Sequence, residues 1–210
     1  MIPRQDNLEL SRLEAFSDGV FAISITLLVL EIKLPKEDVR ELWARMGSIW
    51  PSFLSFFLSF VIILIIWVNH HKVINLARRS DNALLYTNGL LLLLVTFIPF
   101  PTAVLGETLL SSHPQQGILL YCGTFLPLSL SFRAVFHAIV NHRRLVRAEI
   151  KDEDIRRISR AYWLGFLVYL RACIFAVFFP CLGLAVYLSL NVLWLALPYA
   201  TRSTEIKGLT

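Results

Sequence analysis

Several stretches of this sequence are apolar for long enough to cross a lipid bilayer as helices. A helix needs about 20 residues to cross roughly 30 Å of hydrocarbon. Only 17% of the 210 residues are charged, whereas a soluble domain usually has about a quarter, and the mean hydropathy is +0.64. The chain is therefore predicted to be an all-α membrane protein that forms a single transmembrane domain over residues 1–210.

The apolar stretches predict six transmembrane helices. They cover residues of about 11–34, 48–74, 81–106, 115–142, 160–179 and 182–199. Pro99 and Pro101 are expected to bend or end the third helix. The apolar region before and after Pro180 is too long for one span, so it is divided there by a tight turn. A short amphipathic segment, Asp38–Met46, is expected to lie along the membrane interface.

Basic residues are distributed unevenly between the predicted loops. The N-terminus, the second and fourth loops and the C-terminus together hold 14 of the 20 Lys and Arg residues, whereas the first loop holds 4. Cytoplasmic loops carry such an excess, so both termini are predicted to lie in the cytoplasm. The protein itself is expected in the cell membrane. The net charge of +5 follows from this bias, and nucleic-acid binding is not expected because a basic surface interleaved with aromatic residues is missing.

Enzymatic and metal-binding functions are disfavoured by the residues present. Cys122, Cys173 and Cys181 lie in apolar stretches without a CxxC pattern, so neither a disulfide framework nor a zinc site is expected. Adjacent histidines on a helix, here His70 and His71, point about 100° apart and rarely share a metal. We expect no enzyme, no cofactor and no resident metal.

The first predicted helix differs from the others because it carries a carboxylate inside an apolar span. Asp18 lies about one turn inside, where an ionised group is costly and usually faces a partner or a water path. At about 100° per residue, the helix divides into three lines. The apolar stripe consists of Gly19, Ile23, Leu27, Leu30 and Leu34, with Thr26 at its edge; the second line holds Ser17, Ser24 and Glu31; the third holds Asp18, Ile25 and Ile32.

Asp18 is expected to point away from Ile23 and back into its own subunit. An unpaired carboxylate in a low dielectric is too costly to be stable, so it needs a partner there. The second helix ends at the same membrane face, and the candidate partners are Arg12, Trp67, Asn69 and His70. A plain anchor helix, in which the helix dipole favours an Asp near the N-terminus, is an equally open explanation.

Two motifs resemble those of a known family. The pattern Arg12-x-x-x-Phe16-Ser17-Asp18-Gly19-Val20-x-Ala22-Ile23 is similar to the signature of the transmembrane protein 175 family, the bacterial relatives of the lysosomal potassium channel. The ending Trp67-x-Asn69-His70-His71 resembles the pattern of that family's second helix. Length and the six-span layout fit the bacterial single-repeat form, so the resemblance extends over essentially the whole chain.

This resemblance implies a homotetramer in which the first helix of each subunit lines a central pore. Ile23 would form a narrow hydrophobic constriction, with further rings at Leu27 and Leu30 and hydroxyls at Thr26. A structural network would hold the pore helix in place. This network would be formed by Arg12, Phe16, Ser17, Asp18, Gly19, Trp67, Asn69 and His70. The implied function is a potassium-permeable cation channel, modestly selective over sodium, which closes where an apolar ring excludes water. Potassium would be the permeant ion and not a cofactor.

Other functions stay open from the residues alone. A proton-coupled secondary transporter could use Asp18 and His70 as a relay, because both titrate at one membrane depth. In a monomer, the apolar stripe would instead pack against neighbouring helices. Arg133 and Arg171 lie inside predicted spans, and we expect them to snorkel or to pair internally.

Overall fold

A computed structural model describes the backbone of residues 5–33, 47–141 and 145–196 and confirms the all-α class within those ranges. The helices are α1 (Gln5–Leu27), α2 (Trp50–Ile74), α3 (Asn82–Phe97), α4 (Pro99–Thr108), α5 (Pro114–Asn141), α6 (Asp152–Phe178) and α7 (Pro180–Ala196). A 3-10 helix, Leu28–Glu31, continues α1. The predicted interfacial segment Asp38–Met46 lies outside the described residues.

Five helical segments of the described chain are long and apolar enough to cross a membrane. They are Leu8–Glu31, Trp50–Ile74, Asn82–Thr108, Pro114–Asn141 and Asp152–Phe178. The chain is therefore a multi-pass membrane protein. The last helix, α7, is described over 17 residues, or about 26 Å at 1.5 Å per residue, and the predicted sixth span ends beyond the described part.

Two helix boundaries differ from the hydropathy pattern for clear physical reasons. The third span is interrupted at Ile98 and resumes at Pro99, as a proline without an N–H donor predicts, but it then continues to Thr108. The fifth span was predicted from about residue 160, whereas α6 begins at Asp152. The first turn of α6 is acidic. Acidic residues lower the hydropathy of a segment, but the helix dipole stabilises them at a helix N-terminus.

The helix α5 lies at the centre of the bundle, where it contacts α3, α4, α6 and α7. A buried hydrogen-bond chain joins it to α2 and α4. Thr102 donates to the Ile98 carbonyl at 2.8 Å, so it accepts from Ser59 Oγ at 2.7 Å, and Ser59 in turn accepts from the Tyr121 hydroxyl at 2.9 Å. Each hydroxyl has one proton, so these bonds follow a single direction and satisfy three buried side chains.

The α2–α3 and α5–α6 connections meet at one end of the bundle. Ala77 and Val146 form an isolated antiparallel bridge. The amide of Arg78 donates to the Leu145 carbonyl at 2.8 Å, and the amide of Arg147 donates to the Leu76 carbonyl at 3.0 Å. These bonds fix the end of the bundle at which α2 finishes and α3 begins.

Of the two arginines predicted inside spans, Arg133 finds an internal partner. Its guanidinium lies 4.1 Å from the centroid of the Trp163 ring, which joins α5 to α6. A cation over an indole face is attracted by the ring quadrupole. Internal pairing therefore describes Arg133, whereas Arg171 is exposed on α6.

Candidate functional site

One narrow seam of α1 packs against the rest of the chain, and the remainder of the helix is exposed. The helix contacts α2 and α3. Its seam consists of buried residues at helical spacing and is continued by Leu28 of the 3-10 helix: Leu10, Leu13, Ser17, Phe21 and Ser24. The residues predicted to form the constriction lie outside this seam. Ile23 is 58% exposed, Leu27 39% and Leu30 67%, so an apolar surface at membrane depth is left uncovered by its own chain.

The middle of the exposed face carries small and polar side chains. Thr26 and Gly19 lie roughly opposite the buried seam, by helical geometry at about 100° per residue, and both are exposed. The Thr26 hydroxyl donates to the Ile23 carbonyl at 2.8 Å. Because that bond uses its only proton, the Thr26 oxygen presents lone pairs, and not a donor, to whatever faces it.

Asp18 lies on the flank of α1, about 140° around the helix from Ile23. It is exposed and not enclosed by its own subunit, contrary to the expectation from the sequence. Its Oδ1 accepts a hydrogen bond from Trp67 Nε1 on α2 at 2.8 Å. The Trp67 ring also stacks on His71, with centroids 6.3 Å apart. The carboxylate is therefore held by an indole donor of the same chain.

A second contact joins the seam of α1 to α2 and α3 by buried side chains. His70 Nε2 lies 2.7 Å from Asn88 Oδ1, Asn88 Nδ2 donates to Ser17 Oγ at 3.0 Å, and Ser17 donates to the Leu13 carbonyl at 2.8 Å. Exposed fractions are 2% for His70, 1% for Asn88 and 0% for Ser17. Since an amide oxygen can only accept, Nε2 of His70 must carry a proton.

The ring of Phe21 completes this contact from the α1 side. It is buried and lies 5.2 Å, centroid to centroid, from the His70 ring. The adjacent histidines thus face different surroundings, because His70 is enclosed by α1 and α3 whereas His71 is exposed. We call the set Ser17, Asp18, Trp67, His70 and Asn88 the anchor cluster.

The sequence pattern did not identify Asn88 as a functional residue. The available signal was a single amide within the leucine-rich run of the third span, Leu84–Val95. A buried polar group without a partner is costly in a membrane, so such an amide indicates a partner on another helix. Periodicity along one helix does not identify which helix provides it.

Four residues predicted for the same network do not join it. Asn69 is directed elsewhere: its Oδ1 has no hydrogen-bond partner in the described part of the chain, and the residue lines a cavity between α2, α5 and α6. Arg12, Phe16 and Gly19 lie on the exposed face of α1, because they fall outside its buried seam. A carbon placed at the Cβ position of Gly19 would meet nothing within 4 Å.

The contacts of Asp18 and His70 do not form a proton relay with one another. Asp18 accepts from an indole N–H, which has no basic lone pair to pass a proton onward. His70 donates to an amide oxygen, and that chain ends on a backbone carbonyl. The anchor cluster therefore has the chemistry of a structural contact.

The far end of α1 is tied to α4 by an ion pair. Lys33 Nζ lies 3.2 Å from Glu107 Oε1, and both side chains are largely exposed. An exposed pair of this kind stabilises by at most about 1 kcal/mol. The ion pair therefore adds little to the stability of the fold, but it shows that the end of the 3-10 helix lies beside the end of α4.

Comparison with known proteins gives consistent matches. The family described as "Endosomal/lysosomal potassium channel TMEM175" matches residues 12–99, which include the whole anchor cluster. A potassium channel of Chamaesiphon minutus is 43% identical over 97% of this chain and 99% of its own length. A potassium channel of Streptomyces collinus is 39% identical over 77% of this chain and 79% of its own length.

A solved structure also matches in three dimensions. The crystal structure of a lysosomal potassium-selective channel TMEM175 homolog from Chamaesiphon minutus superposes with a TM-score of 0.78 at 40% identity. The match covers 90% of this chain and 97% of that chain. At this identity and coverage, the shared fold extends over almost the whole sequence.

Proposed function

The chain belongs to the TMEM175 family of ion channels, and on that premise we propose that it forms a potassium-permeable channel in the cell membrane, modestly selective over sodium. The family consists of channels and not of enzymes. The observation that carries the proposal is the exposed face of α1, which combines the apolar side chains of Ile23, Leu27 and Leu30 with Gly19 and the Thr26 oxygen. Potassium is the permeant ion, and no cofactor is required.

We propose that four copies surround a central pore lined by α1. One chain provides a helix with a single buried seam, so a closed pathway requires the exposed faces of several copies to meet. Without a hydrophobic drive inside lipid, helices associate by close packing, to which small residues such as Gly19 contribute. Each subunit then has six spans, with α7 as the last and with both termini in the cytoplasm.

The proposed gate is the ring formed by Ile23, with further rings at Leu27 and Leu30. Side chains of this kind offer no oxygen to replace a hydration shell, so a tight ring excludes water and blocks ions. Opening requires the ring to widen until a partly hydrated ion passes. Selectivity then depends on the cost of dehydration, with four Thr26 oxygens as candidate ligands beside the ring.

The anchor cluster is proposed to hold α1 in register with α2 and α3. Its bonds to α1 attach to the flank or the seam of that helix and leave the apolar stripe free. Arg12, Phe16 and Gly19 face outward and are proposed to contact a neighbouring copy. In such a gate, the buried seam of α1 is fixed to its own subunit, whereas the apolar stripe is free to move during opening.

Flux through the purified protein in liposomes tests the proposed function. We expect potassium efflux down a gradient to be faster than sodium efflux down an equal gradient, and to rise without saturation with concentration. Liposomes without protein are the control. Saturable exchange that moves one proton for each potassium ion would contradict the channel and support a transporter that uses Asp18 and His70.

A glycine substitution tests the tetramer. A Cβ added at Gly19 would meet nothing within 4 Å in the described part of the chain, so we expect the effect of Gly19→Leu to arise between subunits. We expect the fraction of tetramer, measured as the mass of four 24.0 kDa chains in detergent, to fall by about tenfold, since overpacking a close helix contact costs about 1–3 kcal/mol.

Gly123→Leu is the matched control for that substitution. A Cβ added at Gly123 also meets nothing within 4 Å in the described part of the chain, but Gly123 lies on α5, which is not among the helices against which α1 mainly packs. The tetramer should persist in this variant. An unchanged mass in Gly19→Leu would contradict close packing of α1 around the axis.

A further inference from the structure

Two cysteines that are far apart in the chain come together between α5 and α6. Cys122 on α5 is buried, Cys173 on α6 is half-buried, and both are free thiols. Their side chains interact directly with one another. The proposed pore and the anchor cluster use neither of them, so the pair has no role in the function described above.

Two contacts between aromatic side chains define how α5 and α6 are aligned. The Tyr162 ring of α6 stacks on the Phe132 ring of α5, with centroids 6.4 Å apart. Beside it, the Arg133 guanidinium of α5 lies over the Trp163 ring of α6. These contacts show which face of each helix is turned towards the other at this level.

The same alignment brings the two thiols together. The helices are consecutive spans and run in opposite directions, so Cys122, eleven residues before Arg133, and Cys173, eleven residues after Tyr162, lie towards the same end of the bundle. Eleven residues of helix cover about 16 Å and return to within about 20° of the same face. Both cysteines therefore lie at one level, on the faces at which α5 and α6 meet.

Two thiols in contact have a chemistry that a single thiol lacks. A disulfide requires two cysteines whose side chains already point towards each other across a short distance. A structural zinc site requires about four ligands, and no group of three or more His, Cys, Asp or Glu side chains that could hold a metal occurs among the described residues. Oxidation to a disulfide is therefore the reaction that this arrangement favours.

We propose that Cys122 and Cys173 form a redox-sensitive pair, which an organic hydroperoxide in the bilayer converts into a disulfide that links α5 to α6. Susceptibility to oxidation follows exposure, so Cys173 reacts first and the enclosed Cys122 is the resolving thiol. Ile174, the neighbour of Cys173, is 54% exposed on a membrane span, so an apolar oxidant reaches this part of α6 from the lipid. The proposal holds whether or not the chain conducts potassium.

The reaction has two steps. The Cys173 sulfur attacks a peroxide oxygen and the O–O bond breaks, which gives a sulfenic acid on Cys173 and an alcohol that carries the thiol proton. The Cys122 sulfur then attacks the Cys173 sulfur, so that the S–S bond forms, the S–O bond breaks and the hydroxyl leaves as water with the proton of Cys122. The two thiols lose two electrons in total, and the hydroperoxide is reduced to the alcohol and water.

Peptide mapping of the full-length folded protein in detergent tests this reaction. After treatment with cumene hydroperoxide and alkylation without reduction, most chains should have lost alkylation at both Cys122 and Cys173. A peptide that links these two residues should appear, lighter by two hydrogens than the two free peptides, and dithiothreitol should restore both alkylation sites. Absence of the linked peptide, or a link through Cys181 in its place, would overturn the proposal, and this measurement needs no variant.

Two variants then separate the two roles. Cys122→Ser removes the resolving thiol, so the sulfenic acid on Cys173 should persist and be trapped as an adduct with dimedone. Cys181→Ser is the matched control, because it removes the third cysteine and should leave the linked peptide unchanged. A dimedone adduct on Cys122 instead of Cys173 in the unmodified protein, or loss of the link in Cys181→Ser, would contradict the proposed pair.

Discussion

Replacing Ile23 by asparagine is expected to raise potassium flux through liposomes by at least tenfold. Four amides at the proposed constriction would wet the ring, and removing a barrier of about 1.4 kcal/mol is sufficient for a tenfold change in rate. Ile23→Ala should also raise flux, because the ring becomes wider while it stays apolar. In both variants the ratio of potassium to sodium flux should fall.

The control for Ile23→Asn is the same change on a surface of similar exposure. Leu164 on α6 is 62% exposed, against 58% for Ile23, and α6 is not among the helices that contact α1. Leu164→Asn should leave flux and selectivity unchanged. If both Ile23 variants conduct like the unmodified protein, the gate does not lie at Ile23.

Replacing Asn88 by leucine is expected to lower the stability of the protein by about 3 kcal/mol. The change removes two buried hydrogen bonds and leaves His70 Nε2 and its proton without an acceptor. For a chain of this length, that loss lowers the Tm by roughly 6–12 °C. Calorimetry of the purified protein in detergent measures this shift.

Thr87→Val is the matched control, because Thr87 is the neighbour of Asn88 on α3. Its hydroxyl donates only to carbonyls of its own helix, Ala83 and Leu84, and valine preserves its shape. A Tm within about 2 °C of the unmodified protein is expected, as for most substitutions away from buried networks. A similarly small shift for Asn88→Leu would mean that the buried bonds to His70 and Ser17 do not hold α1.

These two substitutions separate the proposed roles of the two sides of α1. Ile23→Asn changes the exposed face, so it should alter flux with little change in stability. Asn88→Leu changes the packed side, so it should lower stability first and flux only as the helix loosens. The opposite pattern would require the gate to lie within the buried seam.

Helical periodicity separated the exposed stripe of α1 from its buried line, but it placed Asp18 inside the subunit, whereas Asp18 is exposed. The predicted apolar stripe, with Ile23, Leu27 and Leu30, is the face that its own chain leaves exposed, and the line through Ser17 and Ser24 is buried. Both follow from a rotation of about 100° per residue. Their roles in conduction stay predictions, to be decided by the flux measurements.

Boundaries were less well predicted where local chemistry opposed hydropathy. The start of α6 at Asp152 depends on an acidic first turn, which is a property of a few residues that an average over about 20 residues conceals. The break at Ile98, by contrast, was expected from the missing N–H of Pro99.

The sequence by itself determined that the chain crosses a membrane several times and that its first helix carries Ile23, Leu27 and Leu30 on a different side from Ser17 and Asp18. Those properties depend on composition and on spacing along a single helix. Only the tertiary structure decided that Asn88 joins His70 to Ser17 and that Asn69, one residue before His70, turns away into a cavity. Adjacent residues on a helix face different neighbours. The spacing of residues along one helix gives these directions, but the packing of the whole chain decides which helix lies on each side.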